Sequence, residues 1–503
     1  MTGPTSTVAT TLLLYAPITF PVVVAGLCAG IGYRRATAWA AVVSALTQLT
    51  AGIMLAVAVT RSGPVAAGWL RADALAAFML LLIGAVAAIA TWASVYHLHD
   101  EHAAGQATGR TPSTGTRRYL VLVQLFLAAV AVAVLADNLG MVWVALEATT
   151  IVTAFLVGHR RDQAGAEAAW KYVVLCSVGI ALAFLATVCL NLASMHAGGH
   201  GLSALDWDHL RVQAAGFDHG VMRLTGGLAV LGFGTKAGLA PMHAWLPDAY
   251  SQAPAPVSGL MSGVLLAVAF TQILRYKAIT DVTLGPGYMR VLLIVAALIS
   301  LTAAASLLIS QRDYKRMLAY SSIEHMGLAA LGTAAGSHLA IVAVLLHLLG
   351  HGLAKVVLFC GAGRILACTG TSRIAGVRAL AATRPALAAT FGLGLVALLG
   401  LPPFSLFASE LAIARATTAA GLGWAVAVAF TLTLVIFTAL TRHGAAMLTG
   451  SPDGDGEPAR ATAAHPATLA PLISGLAACA ALGLALGPLQ SLLAAAAAVV
   501  GAP

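Results

Sequence analysis

The chain has 503 residues, of which 60% are hydrophobic and only 9% charged, and its mean hydropathy is +0.91. Soluble domains carry roughly 25% charged residues, so the composition predicts an integral membrane protein and excludes a sizeable soluble domain. The net charge of +9 comes mostly from loop arginines, which orient membrane proteins, and it does not indicate nucleic-acid binding. None of the six cysteines belongs to a C-x-x-C pair and no phosphate loop is present, so we expect no cofactor in this chain.

Apolar runs of about 20 residues recur along the chain and predict an all-α fold of fourteen membrane-spanning helices. Short polar or Gly/Pro stretches separate these runs. The predicted spans are 8–31, 37–60, 74–96, 118–136, 139–158, 168–192, 223–246, 256–278, 288–309, 315–334, 338–364, 384–412, 421–445 and 466–500. The longer predicted connections are 97–117, 193–222 (which could hold a short interfacial helix), 365–383 and 446–465.

The orientation follows from the basic residues of the loops. Most of them lie after odd-numbered spans, which predicts that these loops face the cytoplasm and that both termini lie outside the plasma (inner) membrane. The first span follows a neutral start without a basic region, so it is predicted to be a membrane helix and not a signal peptide.

Two spans are predicted to break inside the membrane. In the seventh, Lys236 is followed by Gly238 and Pro241, and in the twelfth Pro402–Pro403 precede Glu410. Helices broken by Gly and Pro beside a charge are typical of transporter cores. Because the two breaks lie five spans apart, the pattern predicts two inverted five-helix repeats. The predicted segments are an N-terminal three-helix segment (1–117), a first repeat (118–278), a second repeat (288–445) and a C-terminal helix (466–503).

Three ionisable residues lie inside or beside these apolar spans. Ionisable residues within a membrane usually mark an ion path. Glu147 is either a proton-binding carboxylate, the partner of Lys236, or a structural acid kept neutral by burial. Lys236 must pair with an anion or lose its proton when buried, and a lysine poised between these states can relay protons. Glu410 has the same functional and structural interpretations, and we favour the functional one for all three residues.

A line of polar residues is predicted on one face of the eleventh span. His347, His351 and Lys355 recur every four residues, so each step advances only about 40° around a helix. Two histidines at this spacing can bind zinc, and they can also be satisfied core residues. A metal is disfavoured because the usual glutamate between the histidines is missing and the lysine would repel a cation. We therefore favour a line of titratable groups bridged by water and predict no metal.

Two further groups of polar residues have more than one interpretation. Glu324 and His325 lie in the tenth span, and because adjacent residues point about 100° apart, at most one faces the line directly. We assign His325 to the relay ahead of Glu324. The histidines of His97-x-His99-x-x-His102 could bind a metal, but a solvated polar loop is the preferred interpretation.

Five motifs connect these residues to a known family. They are WVALE, TKAGLAPMHAWLPDAYSQAPAPVSGLMSGVLL, AYSSIEHMG, HLLGHGLAK and GLPPFSLFASE, in this order within about 118–415. Through them the chain resembles the antiporter-like membrane subunits of respiratory complex I and of multi-subunit sodium/proton antiporters. The resemblance is greatest to the hydrogenase-4 component F (formate hydrogenlyase-type) group.

The resemblance implies fourteen helices, with the repeats and breaks described above. It also assigns relay roles to residues that match the family's motifs: Glu147, Lys236, His325, His351 and Glu410. One position departs from the pattern. Ala267 stands where complex I members usually carry a lysine on the eighth helix. The relay would then use water or other side chains, such as Lys355, or it would be inactive in pumping.

The sequence thus predicts a proton-translocating, non-catalytic membrane subunit of a redox-driven complex that is hydrogenase-4-like. Its expected partners are the lipid bilayer, other membrane subunits and peripheral redox subunits. The alternatives are a subunit of a cation/proton antiporter, the proton-flux membrane partner of an inorganic-carbon uptake system, and a structural anchor that does not pump.

Overall fold

The computed structural model describes residues 4–107, 113–449 and 466–501. These residues are almost entirely helical, so the predicted helical membrane fold is confirmed. The exception is a short antiparallel hairpin formed by β1 (Val65–Ala67) and β2 (Leu70–Ala72).

Twenty α-helices follow one another in the described residues. The first ten are α1 (Pro4–Ile31), α2 (Arg35–Ser62), α3 (Ala74–Ala107), α4 (Ser113–Leu135), α5 (Leu139–Val157), α6 (Gln163–His196), α7 (Trp207–Gln213), α8 (His219–Ala237), α9 (Trp245–Gln252) and α10 (Ala255–Leu260). The others are α11 (Leu266–Leu284), α12 (Gly287–Ile309), α13 (Tyr314–Ala335), α14 (His338–Thr369), α15 (Leu380–Thr383), α16 (Pro385–Leu398), α17 (Ser405–Ala419), α18 (Gly423–Leu448), α19 (Ala470–Leu484) and α20 (Leu489–Val499). The 3₁₀ turns are Gly158–Arg160, Gly201–Leu205, Ala214–Gly216, Ile374–Gly376 and Pro466–Thr468, and Met261–Leu265 forms a π turn that joins α10 to α11.

Ten spans in the described residues are long and apolar enough to cross a membrane, or eleven if the bent pair α19 and α20 counts as one. The predicted spans 223–246, 315–334 and 384–412 are not among them. They correspond to α8, α13 and the pair α16 and α17, which are shorter or more polar than the rest. These helices carry the chain breaks, Lys236 and His325. Because they are short, polar or interrupted, they are harder to recognise as membrane spans than the other helices.

Several predicted boundaries are wrong. The connection predicted at 97–117 is partly helical, because α3 continues to Ala107 and places His97 and His99 on a helix. The last predicted span, 466–500, is two helices bent by 78°, since Gly487 has a positive φ and Pro488 precedes α20. A short helix, as predicted within 193–222, is present as α7, and its interfacial position stays a prediction. Of the predicted connection 446–465, residues 450–465 lie outside the described residues.

The centre of the bundle is formed by α14 and by the continuous span of α10, the π turn and α11. Every residue in the most apolar part of the α10–α11 span is buried, and so is nearly every residue in the most apolar part of α14. Gly263 and Gly352 bring the two backbones into contact, because a Cβ on Gly263 would lie 2.9 Å from the carbonyl oxygen of Gly352. A side chain at either glycine would push apart the two helices that carry the central polar residues.

Candidate functional site

The predicted polar line lies on α14 at the centre of the protein. The helix begins after Ser337, whose hydroxyl caps the amide of Ala340, and it ends at Gly370 in a left-handed conformation. The side chains of His347, His351 and Lys355 have no exposed surface. All three therefore require partners inside the protein.

His325 joins the α14 histidines from the neighbouring helix α13. Its Nδ1 lies 3.2 Å from Nε2 of His347, and its ring centroid lies 5.2 Å from that of His351. Glu324 is also buried but makes no hydrogen bond or ion pair within the described part of the chain. Both ring nitrogens of His351 are buried without a hydrogen-bond partner among the described groups. Unsatisfied buried polar atoms are costly, so this position suits a water molecule or a transferred proton.

The second break brings Glu410 to the same cluster. Helix α16 ends at Leu398, α17 begins at Ser405, and Pro402–Pro403 lie between them. Helix α17 approaches α14 closely at Gly350, where a Cβ would lie 2.5 Å from Oγ of Ser405.

Two residues on the first turns of α17 then reach the histidines. Oγ of Ser409 lies 3.1 Å from Nδ1 of His347, and Oε1 of Glu410 lies 3.9 Å from Nδ1 of His325. The Glu410 side chain is 22% exposed, beside a small cavity that is also lined by Phe430. Glu410 therefore forms the accessible end of the histidine cluster.

The residues of this cluster could also hold a metal. His325, His347 and Glu410 each place one ligand atom within 4.8 Å of the others. Two imidazoles and a carboxylate form a set that binds zinc in proteins. The sequence had suggested the pair His347 and His351, but the structure groups His347 with residues of two other helices. The absence of a metal stays a prediction, because the same short contacts suit a shared proton.

Lys355 is bound by neutral oxygen atoms. Its ammonium group donates to the carbonyl oxygen of Leu318, at 2.6 Å, and to the hydroxyl of Ser321. Within the described ranges it forms no ion pair. A buried ammonium without a counter-ion is costly, and the neutral amine can keep these neighbours. Lys355 can thus exist with or without its extra proton.

Lys236 has a similar environment at the first break. It lies in the last turn of α8, which ends where Gly238 adopts a left-handed conformation before Pro241. Its ammonium group donates to Oγ1 of Thr150 at 2.6 Å and to the hydroxyl of Tyr172 at 3.0 Å. It is 1% exposed.

The predicted pairing of Glu147 with Lys236 is absent from the structure. No ion pair joins them among the described residues, because the lysine is bound by Thr150, one turn further along α5, and by Tyr172. Oε2 of Glu147 is buried without a hydrogen-bond partner in the described ranges. Glu147 therefore makes no direct hydrogen bond to the lysine among the described residues.

The hydroxyl residues of these sites were missed at the sequence level. Their common signal is position: Thr150 follows Glu147 by three residues, Ser409 precedes Glu410 directly, and Ser321 precedes His325 by four. Tyr172 has no such signal, because it comes from α6 and is held by the hydroxyl of Thr153 at 2.6 Å.

Replacing Tyr172 by phenylalanine is expected to slow proton transfer through Lys236 by about tenfold or more, measured as proton uptake by the assembled complex. The change removes one hydrogen bond to a charged group, which contributes about 1.5–3 kcal/mol. The matched control is Tyr276→Phe, since Tyr276 is also buried and bonds a threonine, Thr187, at 2.7 Å but does not contact Lys236. Equal rates of proton uptake for the two variants would show that the Tyr172 hydroxyl does not affect proton transfer by Lys236.

Comparison with known proteins identifies the family to which this chain belongs. Residues 136–437 match the family described as NADH:quinone oxidoreductase/Mrp antiporter, transmembrane region. The hydrogenase-4 component F homolog of Methylacidiphilum infernorum is 35% identical over 352 residues, which are 70% of this chain and 74% of that protein. Hydrogenase-4 component B of Escherichia coli is 29% identical over 375 residues, which are 72% of this chain but only 53% of that protein.

Solved structures show the same fold. A chain of the archaeal membrane-bound sulfane sulfur reductase has a TM-score of 0.82 at 24% identity, covering 98% of this chain and 97% of that one. A chain of the Mrp complex from Dietzia sp. DQ12-45-1b has a TM-score of 0.81 at 20% identity, covering 97% of both. The matched region covers more than half of the chain and contains Glu147, Lys236, Lys355 and the histidine cluster. This chain therefore belongs to the NADH:quinone oxidoreductase/Mrp antiporter membrane family.

Proposed function

We infer that this chain is a proton-translocating membrane subunit of a multi-subunit complex. The observation that carries the proposal is the pair of lysines, Lys236 and Lys355, which are fully buried on neutral oxygen atoms and not on carboxylates. Such lysines can gain and lose protons, whereas a lysine in a tight ion pair stays charged. The family membership supports the same function.

Within this proposal, a change of charge near Glu147 alters the proton affinity of Lys236. The Coulomb interaction between two such groups is strong in a buried, low-dielectric setting. A proton released on this side moves through water to Lys355 and then to the cluster of His325, His347 and His351. Glu410 passes it on at the accessible end, and Glu324 is a secondary carrier beside Lys355.

The proposal also includes the finer architecture. Fourteen spans result if α8, α13 and the pair α16 and α17 are added to the eleven apolar ones. The breaks after α8 and α16 then lie at equivalent places of two inverted repeats, 118–278 and 288–445. A glycine at each break, Gly238 and Gly400, has a positive φ. The distribution of basic loop residues would place both termini outside the plasma membrane.

We propose a redox-driven, hydrogenase-4-like complex as the assembly. The relatives named hydrogenase-4 component F homolog, hydrogenase-4 component B and formate hydrogenlyase subunit 3 support this choice. Peripheral redox subunits would carry the electrons, and this chain would contribute the proton path without a cofactor.

A cation/proton antiporter subunit is the second candidate. The likeness to a chain of the Mrp complex favours it, although at 20% identity this likeness concerns the fold alone. Sodium-dependent transport would distinguish it. Co-purification with a soluble zinc protein would favour an inorganic-carbon uptake system, and an assembled complex that does not pump would favour a structural anchor.

The test of the proposed function is proton uptake by sealed vesicles that contain the intact complex, energised with its redox substrate. We expect uptake that follows electron transfer, collapses with a protonophore and is unchanged when potassium replaces sodium. Electron transfer without proton uptake would contradict the proposal, and uptake that requires sodium would favour the antiporter.

A further inference from the structure

A cavity of about 320 Å³ lies at the ends of α3, α13 and α14, away from the histidine cluster. Its wall includes His97, Glu101, Arg160, Lys315 and Arg364. These residues belong to loops and helix ends that the distribution of basic residues assigns to the cytoplasmic side. Neither the relay described above nor the sequence motifs give this cavity a role.

Some charges of the cavity are paired, but Lys315 and Arg160 form no ion pair within the described residues. Glu101 accepts a bond from His159 at 3.3 Å, and Arg364 pairs with Asp100. Lys315 is 1% exposed and donates to the backbone carbonyl oxygens of Ser251, at 2.5 Å, and Ala253, at 2.9 Å. It forms no ion pair among the described residues, so its environment resembles that of Lys355.

Serine hydroxyls continue from this lysine towards the centre of the protein. Ser258 shares the carbonyl oxygen of Ala253 with Lys315, at 3.4 Å. One turn further along, Oγ of Ser262 lies 2.9 Å from Oγ of Ser322 on α13. Ser321, the residue before Ser322, accepts the bond from Lys355.

The helix geometry connects these groups. Lys315 and Ser322 are seven residues apart on α13, so they point within about 20° of each other and are separated by about 10 Å along the axis. Ser262 lies in the π turn Met261–Leu265, and such turns are often found at functional sites. Gly263 packs directly on the backbone of α14, so the neighbouring Ser262 can face α13 instead.

We propose that this cavity is a second proton inlet, which loads Lys355 through Ser258, Ser262, Ser322 and Ser321 with water molecules between them. Each hydroxyl accepts a proton on one side and donates its own on the other, so the hydroxyls stay neutral and only Lys355 gains a positive charge. This inlet rests on the proposed function but is independent of Lys236. The inlet would supply protons to the second half of the chain, even though Ala267, at the position of the usual eighth-helix lysine, cannot carry them there.

The test is proton uptake per electron by the intact complex with the double variant Ser262→Ala and Ser322→Ala. We expect proton transfer through the inlet to fall about tenfold, because a buried hydrogen bond is lost from the transfer barrier. Total uptake should then drop to the share carried by Lys236, at unchanged assembly. Thr271→Val is the matched control, because the buried Thr271 hydroxyl bonds only carbonyl oxygens of its own helix. Normal uptake by the double variant would overturn the inlet.

A second measurement does not depend on buried substitutions. Ala367 is exposed at the rim of the cavity, so Ala367→Cys can be labelled with a bulky, membrane-impermeant thiol reagent. We expect labelling from the cytoplasmic face to slow uptake, whereas the same treatment of the unmodified chain, which retains Cys368, should not. Labelling without effect would also overturn the inlet. An unmodified complex that takes up no protons would instead refute the proposed function itself.

Discussion

Replacing Lys236 by methionine is expected to abolish the proton uptake that passes through Lys236, leaving only the share supplied by the proposed inlet, while the complex still assembles and transfers electrons. Methionine fills most of the volume of the lysine stem but cannot carry a proton. The fold should survive, because replacing a buried charge by an apolar side chain of similar volume is often neutral or stabilising. The partners left behind, Thr150 and Tyr172, retain hydrogen bonds to Leu146 and Thr153.

The control for this variant is Lys171→Met. Lys171 lies on α6, but its side chain is 47% exposed and pairs with Glu167 and Asp248 near the end of the helix. Exposed ion pairs contribute little, so this variant should pump at the normal rate. Normal uptake by Lys236→Met, measured in a complex shown to contain the variant chain, would remove Lys236 from the proton path.

Lys355→Met is expected to have an equally large effect. Lys355 is the only lysine that the polar line of α14 contributes, and its ammonium group is held by Leu318 and Ser321 alone within the described part of the chain. Its loss would disconnect both Lys236 and the proposed inlet from the histidine cluster. We therefore expect proton uptake through this chain to cease and electron transfer to persist, measured together in the same vesicles.

Lys277→Met is the matched control, because Lys277 is 8% exposed but pairs with Asp281 on its own helix. If Lys355→Met takes up protons as fast as Lys277→Met and the unmodified chain, Lys355 is structural and the second half of the chain does not conduct protons. If only Lys355→Met fails, Ala267 is not a reason to regard the chain as inactive.

Much of the architecture could be predicted from the sequence because membrane helices impose simple patterns. The four-residue spacing of His347, His351 and Lys355 correctly placed them on one buried face of a single helix. The Gly and Pro residues after Lys236 and before Glu410 correctly marked two places where helices end. Both patterns are local, so the neighbouring residues determine them.

The partners of these residues could not be predicted, since they depend on how helices pack. Glu147 and Lys236 were expected to form a pair, but the lysine is hydrogen-bonded to hydroxyl groups of two helices instead. The spacing of His347 and His351 on one helix raised the possibility of a shared metal site, yet His347 contacts His325 and Ser409 on other helices. The bend between α19 and α20 was missed because both halves are equally apolar.

The number of protons taken up per electron tests the central claim most directly. It should be measured in vesicles with the intact complex, for the unmodified chain and for the double variant Lys236→Met and Lys355→Met. We predict that the double variant lowers this ratio to the value set by the remaining subunits, at an unchanged rate of electron transfer. An unchanged ratio would show that protons cross the membrane elsewhere and that this chain is a structural anchor.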